Sequence, residues 1–163
     1  MIFVTVGTHE QPFDRLVEYM DKWAEKNEEK VIMQIGFCDY EPEYAEWSRF
    51  YGYDEMVNFV KEARIVITHG GPSSFILPIK MGKTPIVVPR QKKFDEHVND
   101  HQLTFCRAVK ERMRNIILVE DINELGNKLD YYDDFVTKMP RAECGNHHFF
   151  ITNFEKSVEE LVK

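Results

Sequence analysis

Short apolar runs alternate along the chain with longer stretches in which apolar residues recur every three or four positions. Ile2 to Val6 is a β-rich run closed by Gly7, and Val31 to Ile35 is a second, closed by Gly36. Arg64 to Thr68, Pro85 to Val88 and Ile116 to Val119 repeat the pattern, and Trp47 to Tyr51 is a weaker example. Such short runs, bounded by glycine or polar clusters, predict buried strands. Between them, Phe13, Leu16, Val17, Met20, Trp23 and Ala24 fall at helical spacing after Pro12, a residue suited to a first helical turn. Met56, Phe59, Val60 and Ala63 form a second such stripe. Phe75 to Met81 reads as a buried helix closed by Gly82, weakened by Pro78, which removes a backbone donor. Helices are also predicted from Val98 to about Glu111, from Ile122 to Leu129, and from about His148 to the end. In the last, Ile151, Phe154, Val158 and Leu161 share a face. Residues 89–97 read as a polar loop, and Tyr131 to Asn146 as a surface excursion.

Strands alternating with helices predict βαβ units. The fold class expected is α/β: a Rossmann-like, doubly wound parallel sheet of about six strands, covered on both faces. With right-handed crossovers and the order 3-2-1-4-5-6, strands one and four are neighbours. A ligand then binds beyond the strand C-termini, where strand order reverses. Gly7-Thr8-His9 faces His69-Gly70-Gly71-Pro72-Ser73-Ser74 across that crevice. The two adjacent glycines let a ligand approach the backbone. Ser73 and Ser74 open a helix whose free N–H groups favour an anion such as a diphosphate. The plainer reading of the same residues is a tight turn with a serine cap. GxGxxG and GxxxxGK[ST] are both absent, which disfavours nicotinamide cofactors and P-loop chemistry.

Length and charge narrow the classes. The 163 residues fit one domain, 1–163, and 21 basic against 28 acidic residues leave a formal net charge of −7. A chain that acidic is a poor general binder of nucleic acid. No apolar run reaches the roughly 20 residues that span a bilayer, and the start has no basic segment typical of a signal peptide. Cys38, Cys106 and Cys144 form no CxxC pair. Reduced, mostly buried thiols in a cytoplasmic protein are expected, with a metal fragment of Cys144, His147 and His148 as the lesser alternative. His97 and His101 sit four apart, like ligands on one helix face, but no third zinc ligand is evident. Gly71-Pro72-Ser73 begins like a nucleophile elbow, yet Phe75 stands where the closing glycine belongs. No metal and no cofactor are expected. Arg90-Gln91-Lys92-Lys93 is a basic run in an acidic chain. It reads as a solvated loop, as countercharge for a diphosphate, or as a patch facing an anionic membrane.

Several motifs occur in a telling order. They are Val4-Thr5-Val6-Gly7-Thr8, Ile67-Thr68-His69-Gly70-Gly71-Pro72-Ser73-Ser74, Gly82-Lys83, Pro85 to Arg90, and Glu96-His97-Val98-Asn99-Asp100-His101-Gln102. From residue 2 to about residue 110 the chain resembles the C-terminal, nucleotide-sugar-binding half of family 28 glycosyltransferases. It is most similar to their split catalytic subunits, those of the dolichol-diphosphate N-acetylglucosaminyltransferase and of bacterial capsule and exopolysaccharide transferases. The resemblance implies one half of a GT-B fold acting on a UDP-sugar donor, with the acceptor-binding half on a membrane-associated partner. The acceptor implied is a lipid-diphosphate-linked saccharide, and the chain would work peripherally at the inner face of the membrane. Gly7, Thr8, Tyr53, His69, Gly70, Gly71, Pro72, Ser73, Ser74, Asp100, His101 and Gln102 are the implied donor-binding residues. The main chain near Tyr53 would hold uracil, Gly70 to Ser74 the diphosphate, and His101 and Gln102 the sugar. The peptidoglycan member binds ribose through a glutamate whose matching position here falls near Leu77. His9, at the crevice mouth, is the candidate general base within this chain. A non-catalytic nucleotide-sugar-binding or regulatory subunit is the alternative function.

Overall fold

The computed structural model describes residues 1–140 and, beyond them, Lys156 and Glu160. The helix expected from about His148, and the Cys144, His147 and His148 group, lie outside the described residues. Six strands form one all-parallel sheet: β1 (Ile2–Thr5), β2 (Val31–Gln34), β3 (Glu46–Ser48), β4 (Ile65–His69), β5 (Ile86–Val88) and β6 (Ile117–Leu118). Their order is β3-β2-β1-β4-β5-β6, the order under which the sequence placed strands one and four side by side. The helices are α1 (Asp14–Lys26), α2 (Tyr53–Glu62), α3 (Pro72–Lys80), α4 (His101–Met113), α5 (Leu125–Asp130) and α6 (Tyr132–Lys138).

The pleat sorts the strand residues onto two faces. Ile2, Val4, Ile65, Ile67, Ile86 and Val88 pack with Leu16 and Met20 of α1, Leu125 and Leu129 of α5, and Tyr132 of α6. On the other face Phe3, Ile32 and Val66 meet Val60 of α2, and Val87 meets Phe75 of α3 and Phe105 and Val109 of α4. Covering both faces explains why the strands read as continuous apolar runs.

The connection from β2 to β3 has no helix. It is pinned instead by Asp21 of α1, which is fully buried. One carboxylate oxygen accepts from Tyr44 N (2.9 Å) and Ala45 N (3.0 Å), the other from Tyr40 Oη (2.8 Å) and Glu43 N (2.9 Å). Burial opposes the charged form. The hydrogen bonds outweigh it together, so the carboxyl lies below its ordinary pKa.

Three expectations change. The helix expected from Val98 starts at His101, because Asp95 adopts a left-handed conformation (φ 57°) and Asp100 is the N-cap. His97 therefore lies outside the helix and shares no helix face with His101. The excursion expected from Tyr131 includes α6, whose Tyr132, Phe135 and Val136 pack on the main core, with Tyr132 Oη donating to Thr84 O (2.7 Å). The basic run divides: Arg90 and Gln91 are buried, and only Lys92 and Lys93 are exposed. Residues 92–94 form a 3-10 turn, so the run is not a continuous patch toward a membrane.

Candidate active site

Strand order reverses between β1, which pairs with β2 and β4, and its neighbours. Beyond the C-terminal ends of these strands lies a crevice of about 670 Å³. Its floor is polar. Gln34 and Thr5 line it from adjacent strands, on the same face as Ile32 and Phe3, with the fully buried Thr68 in register beside Thr5. Gln34 donates to Thr5 Oγ1 (3.2 Å) and accepts from Tyr51 N (3.1 Å), which sets the loop leading into α2. Met56, Val60 and Leu77 form an apolar wall, and Tyr53, 76% exposed, stands at the rim. Leu77, near which the resemblance places the ribose-binding glutamate of the peptidoglycan member, lines the crevice as an aliphatic side chain. Gln34, Met56 and Val60 are not among the donor-binding residues named from the sequence. The signal available was a polar residue at the end of each apolar strand.

The loop after β4 is organised around His69, which is 8% exposed. Its Nδ1 accepts from Gly71 N (3.0 Å), and its Nε2 lies 2.5 Å from Ser74 Oγ. An acceptor at Nδ1 leaves the neutral ring's proton on Nε2, where it is donated to Ser74. Burial, reinforced by the charge of Arg90, lowers the His69 pKa to about 4, so the ring is neutral at pH 7. The glycines serve this ring. A Cβ on Gly71 would collide with His69 Cε1 and lie 3.0 Å from Nδ1. A Cβ on Gly7 (φ 76°) would collide with the same imidazole. Of the adjacent pair Gly70 and Gly71, expected to admit a ligand to the backbone, Gly71 faces the protein's own His69 and Gly70 faces Cys106 and Gln102.

Gln102 locks the neighbouring turn. Its Oε1 accepts from Gly70 N (3.0 Å) and Arg90 N (3.1 Å), which leaves the NH2 end of the amide for the crevice it lines. Gly70 and Gly71 N–H groups are thus both engaged internally. Pro72 has no N–H, and Ser74 N donates to Gly71 O (3.0 Å). Ser73 N–H, at the second position of α3, has no partner among the described residues. Ser73, Ser74 and Gln102 are therefore the donors this side offers, with the positive end of the α3 dipole behind them.

Opposite, Gly7, Thr8 and His9 line the crevice on the loop after β1. The His9 ring stacks on His97, centroids 4.7 Å apart and 12° from parallel. Arg90, 1% exposed, ties the two loops together. Its guanidinium donates to Val6 O (2.9 Å) and Gln11 O (2.6 Å) on one loop and to Glu96 O (3.2 Å) on the other, and packs 5.0 Å over Phe13. Glu96 in turn holds Arg15 through both carboxylate oxygens (2.7 and 2.9 Å) and accepts from Gln91 N (3.0 Å). Asp100 and His101 stay at the start of α4, both exposed, with Asp100 Oδ1 accepting from Lys92 N (2.9 Å). Of the residues named from the sequence, the crevice gathers Gly7, Thr8, His9, Tyr53, His69, Ser73, Ser74 and Gln102. Gly70, Gly71 and Pro72 shape it from behind. No set of three or more His, Cys, Asp and Glu side chains among the described residues is placed to hold a metal ion.

A solved structure shares this architecture. The glycotransferase of kitacinnamycin superposes with a TM-score of 0.53 at 15% identity, over 98% of this chain and 39% of that one. The glycosyltransferase SnogD from Streptomyces nogalater aligns over 98% of this chain and 40% of its own, at 14% identity and a TM-score of 0.48. A search of curated protein sequences finds no match. The fold is that of one half of a GT-B glycosyltransferase, and the chain spans about two-fifths of the length of the kitacinnamycin enzyme. Its crevice stands at the switch point of that half, and residues 1–147 match the Glycosyltransferase family 28 C-terminal domain; the chain belongs to that family, as a glycosyltransferase donor-binding domain.

Proposed function

We propose that this chain is the catalytic, donor-binding subunit of a two-component inverting glycosyltransferase. It moves a hexose or N-acetylhexosamine from a UDP-sugar to a lipid-diphosphate-linked acceptor in polysaccharide biosynthesis. The observation that carries this reading is the crevice itself, with unspent donors on the β4 side facing a histidine on the β1 side. The nucleobase lies against Tyr53 and Met56 at the start of α2. The diphosphate meets Ser73 N–H, the Ser74 hydroxyl and the Gln102 amide. Because His69 gives its Nε2 proton to Ser74 Oγ, the serine's own proton is free to donate to a phosphate oxygen. His101, exposed beside Gln102, extends the donor set toward the sugar.

As an acceptor hydroxyl attacks the anomeric carbon, negative charge grows on the departing diphosphate. Fixed N–H and O–H donors at the N-terminus of α3 stabilise that charge without reorganising. His9 takes the acceptor proton. The second GT-B half, which presents the acceptor, is supplied by a membrane-associated partner. The described residues form one Rossmann-like half, and the match covers 39% of the kitacinnamycin enzyme. No helix among the described residues is long and apolar enough to cross a membrane.

The test is a transfer assay with UDP-sugars and a lipid-diphosphate acceptor, with and without the membrane partner. Transfer only with the partner is expected. Full turnover by the chain alone refutes the two-component reading. Donor binding without transfer, even with the partner present, makes the chain a non-catalytic binding subunit.

A further inference from the structure

The β1 loop carries a small hydrogen-bonded relay that the donor site does not use. Gln11 Nε2 donates to the carbonyl of Asp95 (3.4 Å), which turns the other end of the amide toward His9. Gln11 Oε1 lies 3.0 Å from His9 Nε2. A carbonyl oxygen can only accept, so His9 Nε2 is the nitrogen that carries the proton. Nδ1 then holds the lone pair, and it has no hydrogen-bond partner among the described residues. His9 lines the crevice, so its one unengaged nitrogen belongs to a crevice-facing ring.

His97 supplies the platform under that ring. The carbonyl of Glu96, the residue before it, is tied by the buried Arg90 guanidinium to the carbonyl of Gln11. The two stacked rings therefore ride on loops joined by a single buried cation. The Asp95 carbonyl that orients Gln11 sits on the His97 loop as well.

We propose that Gln11 and His97 are positioning residues that hold His9 with Nδ1 unprotonated, making Nδ1 the atom that accepts the proton of the attacking hydroxyl. This rests on the reading of the crevice as the donor site. In the step, the acceptor O–H bond breaks and its proton passes to Nδ1. The oxygen's electrons form the new bond to the anomeric carbon, and the bond from that carbon to the diphosphate breaks with its pair leaving on the diphosphate. Gln11 stabilises the imidazolium formed, since Nε2–H continues to donate to its carbonyl. Gln11 and His97 touch neither donor nor acceptor.

The experiment reads the ring directly. Two-bond proton–nitrogen correlation spectra of the ¹⁵N-labelled chain at pH 8 identify which nitrogen of each histidine is protonated, and need no variant. His9 is expected in the Nε2–H form, changing to a mixture of tautomers in Gln11→Leu and returning to Nε2–H in Gln11→Glu, whose carboxylate accepts from the same position. With the membrane partner, Gln11→Leu and His97→Ala lower kcat by about tenfold or more, a part of the 10²–10⁴ that general bases contribute, while the donor KM is unchanged. Gln11→Glu restores kcat. A wild-type His9 protonated on Nδ1, or a tautomer indifferent to Gln11, overturns the proposal. UDP titrated into the same samples keeps the two readings apart. Loss of UDP binding by the wild-type chain refutes the donor site, and normal binding with the wrong tautomer refutes only the relay.

Discussion

His69 makes the stability of this domain depend on pH in a way that one substitution isolates. The ring is 8% exposed and its pKa is lowered from 6.5 to about 4. The unfolded chain takes up that proton near pH 6.5 and the folded chain only near 4. Between these values the unfolded state binds more protons, so stability rises with pH across this window and is flat with respect to His69 outside it. At roughly 1.4 kcal/mol per pH unit, acidification from pH 7.5 to 4.5 costs about 2–3 kcal/mol through this residue alone. His69→Asn removes the titration while placing a carbonyl oxygen near the position of Nδ1, where it can still accept from Gly71 N. Urea unfolding of both proteins at the two pH values gives the difference of differences, in which every other titrating group cancels. Wild type is expected to lose about 2–3 kcal/mol more than the variant. NMR titration of wild type is expected to leave the His69 ring neutral at pH 5.5. Equal losses in the two proteins, or a His69 that titrates near 6.5, would refute the buried neutral ring and with it the orientation assigned to Ser74.

The remaining predictions use the same measurements. Asp21→Asn keeps the shape but turns an NH2 group toward two of four donors, so it destabilises by about 3 kcal/mol in urea unfolding; in wild type the depressed Asp21 pKa makes stability fall with this carboxyl's protonation only below about pH 3.8. Gly71→Ala drives a methyl group into the His69 ring, lowering thermal stability and UDP affinity together, whereas Gly82→Ala, at φ 74° with nothing within 4 Å, carries only backbone strain of about 1 kcal/mol and leaves UDP binding intact. Arg90→Met strips a charged donor from the carbonyls of Val6, Gln11, Pro12 and Glu96 and is expected to cost about 4 kcal/mol in unfolding free energy, with a weaker UDP titration because both crevice loops lose their tie.

Much of the fold was legible because its strands are apolar on both faces and its helices are not. Right-handed crossovers and alternating elements leave few topologies, and the order adopted, β3-β2-β1-β4-β5-β6, places His9 opposite Ser73 and Ser74. Side-chain placement after β5 was not legible. Arg90 is adjacent to Lys92 and Lys93, and composition groups the three; only the structure shows carbonyls from two loops converging on one guanidinium. The start of α4 was misplaced because Val98 fits the apolar phase, yet it is 67% exposed. Asn99 and Asp100, both favoured at helix starts, were the better marker. The packing of α6 was readable in Tyr132, Phe135, Val136 and Met139, at i, i+3, i+4 and i+7. The acidic pair Asp133–Asp134 in that short segment masked it. The contact between Gly71 and the His69 ring was not legible for a different reason: a ligand and a buried histidine ring make the same demand for a missing Cβ.

The measurement that bears most directly on the central claim is a titration of UDP into the isolated chain, followed by calorimetry and by NMR shift mapping at backbone resolution. The account predicts saturable binding, with shifts concentrated at Gly7 to His9, Ser73, Ser74, Tyr53 and Gln102, and weakened at least tenfold by Ser74→Ala combined with Gln102→Ala, since two hydrogen bonds to a charged group are worth roughly 1.5 kcal/mol or more each. Shifts confined to the groove between α1 and residues 92–96, or no saturable binding of UDP, would contradict it.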